Sequence, residues 1–157
     1  MEHQKILQNI RDAAFKYLGM RNHSEDELRR KLLKKFRGAE NEIEIVFREL
    51  FDQKLLNDKI FAEEYLRYRT ETSPRGKSAL RSELRKKGVS SEIIDAALLN
   101  VSDEDEHDFA KKLTEQKLKF MSPNLEKKKK KEKLFRFLHS RGIAPNIIFD
   151  IFSEKDL

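Results

Sequence analysis

The chain has 157 residues and no cysteine, with 38% hydrophobic and 39% charged residues. That balance is apolar enough for a packed core, and the absence of thiols excludes disulfides, thiolate metal sites and cysteine nucleophiles. Only 5 glycines and 3 prolines argue against a turn-rich all-β fold, and a net charge of +6 points to a polyanionic partner such as nucleic acid, or to an acidic protein surface.

Helical periodicity runs along the whole chain. Ile6, Ile10, Ala14, Tyr17 and Leu18 predict a first helix. In HSEDELRRKLLKKF, Ser24 and Glu27 form a capping box, Leu28, Leu32, Leu33 and Phe36 supply an apolar face, and Gly38 marks the stop. Ile43, Val46, Phe47 and Leu50 predict a third helix. Asn57 then caps a helix carrying Phe61, Ala62, Tyr65 and Leu66. Ser73-Pro74 reads as N-cap and first-turn proline of a helix that carries Leu80 and Leu84 and stops at Gly88. Ser90 caps a short helix with Ile93, Ile94, Ala97 and Leu98.

The acidic stretch DEDEHD (103–108) suits the start of a further helix, with Phe109, Ala110, Leu113 and Leu118 on its face. Ser122-Pro123 repeats the Ser-Pro start, Leu134 and Leu138 the leucine pair, and Gly142 the stop. Pro145 opens a last helix with Ile147, Ile148, Ile151 and Phe152. Ala14, Ala62 and Ala110 recur at a spacing of 48, and Leu28, Leu80 and Leu134 each have a second leucine four residues on. The expected fold is therefore all-α: three tandem three-helix repeats, at 1–56, 57–101 and 102–157, forming an elongated, curved modular array.

Motifs for catalysis are missing. GKS at 76–78 has Glu71 where a phosphate-binding loop needs glycine, and a helical pattern where it needs a strand. His3, His23, His107 and His139 form no i, i+4 pair, so no metal site is expected. The carboxylates lie among Lys and Arg on helical faces, and no serine sits in a nucleophile elbow. The expectation is a protein without catalytic residue, metal or cofactor, and not an enzyme. No apolar stretch approaches the roughly 20 residues of a membrane span. The opening MEHQKILQNI lacks the regions of a secretory signal, so a soluble, cytoplasmic protein with no membrane partner is expected.

The basic segments carry the candidate contacts. Lys77, Arg81 and Arg85 follow i, i+4, i+8 beside the Leu80/Leu84 stripe, Lys86 and Lys87 extend the ridge, and Arg67, Arg69 and Arg75 lie upstream. Such a ridge suits phosphates or acidic protein surface. The first unit has Arg29, Arg30, Lys31, Lys34, Lys35 and Arg37. Lys127, Lys128, Lys130 and Lys131, in the run 127–131, would track phosphates without reading sequence. The alternative for each is a solvated helix face.

YLGMRNHSEDELRRKL (17–32), LLNDKIFAEEYLRYR (55–69) and RGKSALRSELRKKGVSSEIIDAAL (75–98), in that order, resemble the RecX family of bacterial regulatory proteins. FLHSRGIAPNII (137–148) resembles the family's closing segment. The resemblance implies three tandem three-helix repeats and a modulator of the RecA recombinase. Such a protein binds in the helical groove of the RecA–DNA filament, bridges neighbouring protomers, and inhibits ATPase, strand exchange and co-protease activity, so restraining recombination and the SOS response. The implied partners are the RecA filament and, weakly and without sequence preference, single- or double-stranded DNA, with the protein itself a monomer. Two departures stand out: Lys77 follows Gly76 where the family often has proline, and the third unit is unusually lysine-rich. The competing readings are a DNA-binding protein that acts by competing for DNA, and a helical adaptor.

Overall fold

The computed structural model describes residues 1–157 and is all-α, with nine helices and no strand. They are α1 (Glu2–Met20), α2 (Glu25–Lys35), α3 (Glu40–Asp52), α4 (Asp58–Thr72), α5 (Lys77–Lys86), α6 (Ser91–Leu98), α7 (Asp103–Lys119), α8 (Lys127–Ser140) and α9 (Pro145–Glu154). None is long and apolar enough to cross a membrane. The chain forms two compact units, one of Met1–Tyr65 with Leu84–Ile94 and one of Leu66–Glu83 with Asp95–Leu157.

In the first unit α1, α2 and α3 pack on one another around Ile10, Ala14, Leu28, Leu32, Ile43, Phe47 and Leu50. These are the positions the helical period marked, and each buried large side chain contributes about 1.5–3 kcal/mol. Arg11 clamps α1 to α3 through two 2.6 Å bonds to Glu49. The capping box at the start of α2 is complete, with Ser24 Oγ accepting from the Glu27 amide at 3.1 Å. Asn57 Oδ1 accepts the amides of Lys59 and Ile60 at the start of α4.

In the second unit α7, α8 and α9 pack in the same way around Ala110, Leu134, Leu138, Ile143, Ile148 and Ile151. Ser102 caps α7 by accepting the Asp105 amide at 2.9 Å, and four acidic residues fill its first turn. Pro145 stands in the first turn of α9, as its sequence context predicts.

The two Ser-Pro pairs do not start helices. α4 runs to Thr72 and α5 begins at Lys77, so Ser73-Pro74 lies in the link between them. Ser122-Pro123 forms a turn closed by the Leu125 amide on the Ser122 carbonyl at 3.2 Å, four residues before α8. The same fixed proline φ suits the first corner of a turn and the first turn of a helix, and here the turn wins.

The glycine stops have a second task. Gly38, Gly88 and Gly142 follow α2, α5 and α8 with φ of +81°, +77° and +81°. At the latter two the turn closes alike, with the amides of Val89 and Ile143 both 3.2 Å from the carbonyls of Leu84 and Leu138. Such a left-handed residue lets a helix end tightly.

Within the first unit, Gly88 lies against the start of α2, where a Cβ would collide with Asp26. Ser24 Oγ donates to the carbonyl of Lys87, the residue before that glycine, and Arg30 donates to the Lys86 carbonyl at 3.0 Å. The Glu25 amide, at the first position of α2, donates to Asp58 at 2.8 Å.

Within the second unit the same set recurs. Gly142 lies against the start of α5, where a Cβ would collide with Ala79. The Gly76 amide donates 2.8 Å to the carbonyl of Arg141, again the residue before the glycine. The Lys77 amide, first in α5, donates 3.0 Å to Glu106. Asp58 and Glu106 are 48 residues apart, the period of the alanines. Burial pushes both carboxyl groups above their ordinary range, against the pull of the amide each accepts. Gly38 has nothing within 4 Å of its Cβ position.

Glu27 ties the first of these contacts electrostatically. Burial raises its pKa, but bonds from Arg21 at 3.1 Å and Lys87 at 2.7 Å outweigh that and hold it down at about 2. A carboxylate depressed on folding stabilises above its unfolded pKa, and that stability is lost as pH falls through the folded one.

Two outcomes are expected. Gly38→Ala carries backbone strain of about 1 kcal/mol, whereas Gly142→Ala adds a steric cost of about 1–3 kcal/mol. Urea unfolding would show it, and equal losses at the two sites would contradict the docking role. Glu27→Gln lowers stability by about 3 kcal/mol at neutral pH. That deficit shrinks as pH falls from about 5 toward 2, and a deficit constant across this range would refute the charge-based account.

Candidate basic contact surface

The expected ridge on α5 divides into bound and free cations. In the second unit, Lys77 Nζ lies 2.5 Å from Asp103, and Arg81 pairs with Asp95. Arg69 makes a two-pronged contact with Glu83, both bonds 2.8 Å, and Arg75 approaches the same carboxylate at 3.9 Å. The Arg75 Nε is buried without a hydrogen bond. Arg67 is exposed on α4, next to Tyr68, which is 59% exposed. In the first unit, Arg85 and Lys86 are exposed and make no ion pair; Lys86 is tied only through its carbonyl, which accepts from Arg30.

The lysine run opens α8. Lys127 lies 3.7 Å from Asp156 and Lys129 lies 3.8 Å from Glu126, both loose and exposed. Lys128 is exposed, and Lys130 and Lys131 are half-buried; none of the three has a carboxylate partner. Cations at a helix N-terminus oppose the helix dipole, each costing roughly 0.3–1 kcal/mol. The helix persists because Leu134 and Leu138 are fully buried. No acidic residue stands in its first turn and no side chain caps it. The arrangement suits phosphate or carboxylate oxygens, since lysine binds them as a point charge.

Sequence reasoning missed the carboxylates that hold half of the ridge, because Glu83, Asp95 and Asp103 lie 14 to 26 residues from their partners. The exchange of Arg81 for Phe135 between the second and third units is visible in the sequence, but the partners of this position on the facing helices are not. Arg29, Arg81 and Phe135 each follow the first leucine of the pair. Arg29 pairs with Glu44 on α3, Arg81 with Asp95 on α6, and Phe135 with Phe149 on α9, at a ring separation of 5.6 Å. Aligning the leucine pairs reveals that series.

Comparison with known proteins supplies the remaining findings. The protein-family model described as RecX, second three-helix domain, matches residues 57–98. A regulatory protein RecX from Pelodictyon phaeoclathratiforme is 40% identical over 129 residues, which span 82% of this chain and 78% of the relative. One from Prosthecochloris aestuarii is 36% identical over 90% of this chain and 89% of its own length. One from Clostridium perfringens is 39% identical, but the match spans only 55% of that longer protein. Among solved structures, the crystal structure of RecX from Lactobacillus salivarius superposes with a TM-score of 0.83, at 27% identity and with 98% of each chain covered.

Proposed function

The chain belongs to the RecX family, and from that premise we propose that it binds the filament of the RecA recombinase on DNA and inhibits its ATPase, strand-exchange and co-protease activities, so restraining recombination and the SOS response. The observation that carries this reading is the identity of 36–40% to regulatory proteins named RecX across most of their length. The protein acts in the cytoplasm as a monomer, with no chemistry of its own. Its three repeats are 1–56, 57–101 and 102–157, laid along the filament as a modular array.

Physical chemistry supports the proposal. Linked units bind well even where each contact is weak, because later contacts form at high effective concentration. A protein that bridges neighbouring protomers resists the rearrangements that accompany ATP turnover. The basic side chains draw it to phosphate and to acidic protein surface.

Burial and pairing rank the contacts. Arg67, Arg85, Lys86, Lys128, Lys130 and Lys131 have no carboxylate partner and lead. Arg69, Lys77 and Arg81 must first leave Glu83, Asp103 and Asp95. Arg75 and Lys127 sit at the edge of such pairs.

The test follows ATP hydrolysis by purified recombinase on single-stranded DNA while this protein is titrated below the amount needed to coat the DNA. Inhibition is expected in that range. The double substitution Arg85→Glu/Lys86→Glu raises the half-inhibitory concentration at least about tenfold, with an unchanged unfolding midpoint. Inhibition that begins only at DNA-saturating levels, with a steep salt dependence, would favour competition for DNA instead.

A further inference from the structure

The first two helix trios carry a charged pair at the position where the third carries two phenylalanines. Arg29 reaches Glu44 and also lies 4.3 Å over the Phe47 ring. Arg81 reaches Asp95 in the same manner. At the third position, Phe135 on α8 faces Phe149 on α9. Phe149 is 57% exposed and meets Phe152 edge-on at 6.4 Å. A groove of about 670 Å³ lies here in the second unit, walled by Phe135, Phe149, Phe152 and Leu157 and rimmed by Lys131 and Arg136, whereas the matching place beside Arg81 and Asp95 holds a smaller one of about 470 Å³ with charged walls.

The two other trios carry an ion pair at the matching position. Phe135 packs against the core around Leu134 and Leu138, but its partner Phe149 is not among the side chains of that core. An open apolar groove bordered by charge is the usual mark of a docking surface.

The rim indicates what enters. Lys131 and Arg136 flank the groove against a single acid, Glu132. One turn before Lys131 stand Lys127 and Lys128. The starts of α2 and α5 each hold a carboxylate from elsewhere in the chain, Asp58 and Glu106. α8 starts with lysines and has no side-chain cap. A nucleobase fits less well, because a base stacks on an open ring face. One face of Phe135 is stacked on His139 at 5.7 Å and 8°, and Phe149 packs against the ring as well.

We propose that the α8–α9 groove docks an acidic amphipathic helical segment of a partner protein. Its apolar residues enter between Phe135, Phe149 and Phe152, and its carboxylates face Lys131, Arg136 and the lysines that open α8. This reading requires no recombinase, so its success or failure is independent of the filament proposal.

A displayed library of random peptides, each long enough for four helical turns, would be panned on the intact protein. Winners would be synthesised and their affinities measured by fluorescence anisotropy. Enriched sequences are expected to place apolar residues at i, i+3 or i+4 among Asp and Glu. Phe149→Ala weakens them at least about tenfold, as does Lys131→Glu/Arg136→Glu, with the unfolding midpoint of both variants retained. The proposal is overturned by any of three results: winners that lack acidic residues or bind Phe149→Ala equally well; an oligo-dT whose binding falls tenfold in Phe149→Ala while the peptides are unaffected; or self-association of the protein that Phe149→Ala abolishes, which would make a second copy the occupant.

Discussion

An α-helix begins with amides that have no partner within it, and burying them unpaired is costly. α2 and α5 both begin where later chain packs on them, and both solve the problem with that later chain. A carboxylate accepts the first amide, from Asp58 or Glu106, and a carbonyl one residue before a glycine accepts from the N-cap residue, at Lys87 or Arg141. The glycine is needed for two reasons at once. Its φ is positive, and a Cβ would strike the helix it docks on. The helix that most needs partners is thereby joined to the turn best able to supply them.

This device separates scaffold from surface. The leucine pair, the glycine stop and the isoleucines that follow keep their places in the second and third trios, whereas the residue after the first leucine is free to vary. It is arginine in an ion pair twice and phenylalanine in an aromatic pair once. Exposed ion pairs contribute little stability, about 0–1 kcal/mol. The exchange therefore alters what the surface can bind far more than whether the chain folds. The cations divide similarly, with Lys77 and Arg81 held by carboxylates and Arg85 and Lys86 left to solvent.

Local signals in the sequence read correctly. The capping box of Ser24 and Glu27, the cap at Asn57, the acidic start of α7 and the proline at the start of α9 all act within one helical turn. Ser73-Pro74 and Ser122-Pro123 read wrongly, because a proline at a turn corner and one in a first helical turn look the same in one dimension. Gly88 and Gly142 read as stops and no more, since what they touch is about 60 residues away in each case. The basic residues were visible as residues, but their carboxylate partners were not, because an i, i+4 period cannot report a contact between helices. The change from Arg81 to Phe135 is legible in the sequence, but its partner Phe149 is not, because the two rings meet between different helices.

Hydrogen exchange followed by NMR reads the first amides of α2, α5 and α8 one by one. First-turn amides ordinarily exchange fast. The Glu25 and Lys77 amides are predicted to exchange at least about tenfold more slowly than that of Lys127. Asp58→Ala should release only Glu25, and Glu106→Ala only Lys77. Equal, fast exchange at all three positions would contradict the account.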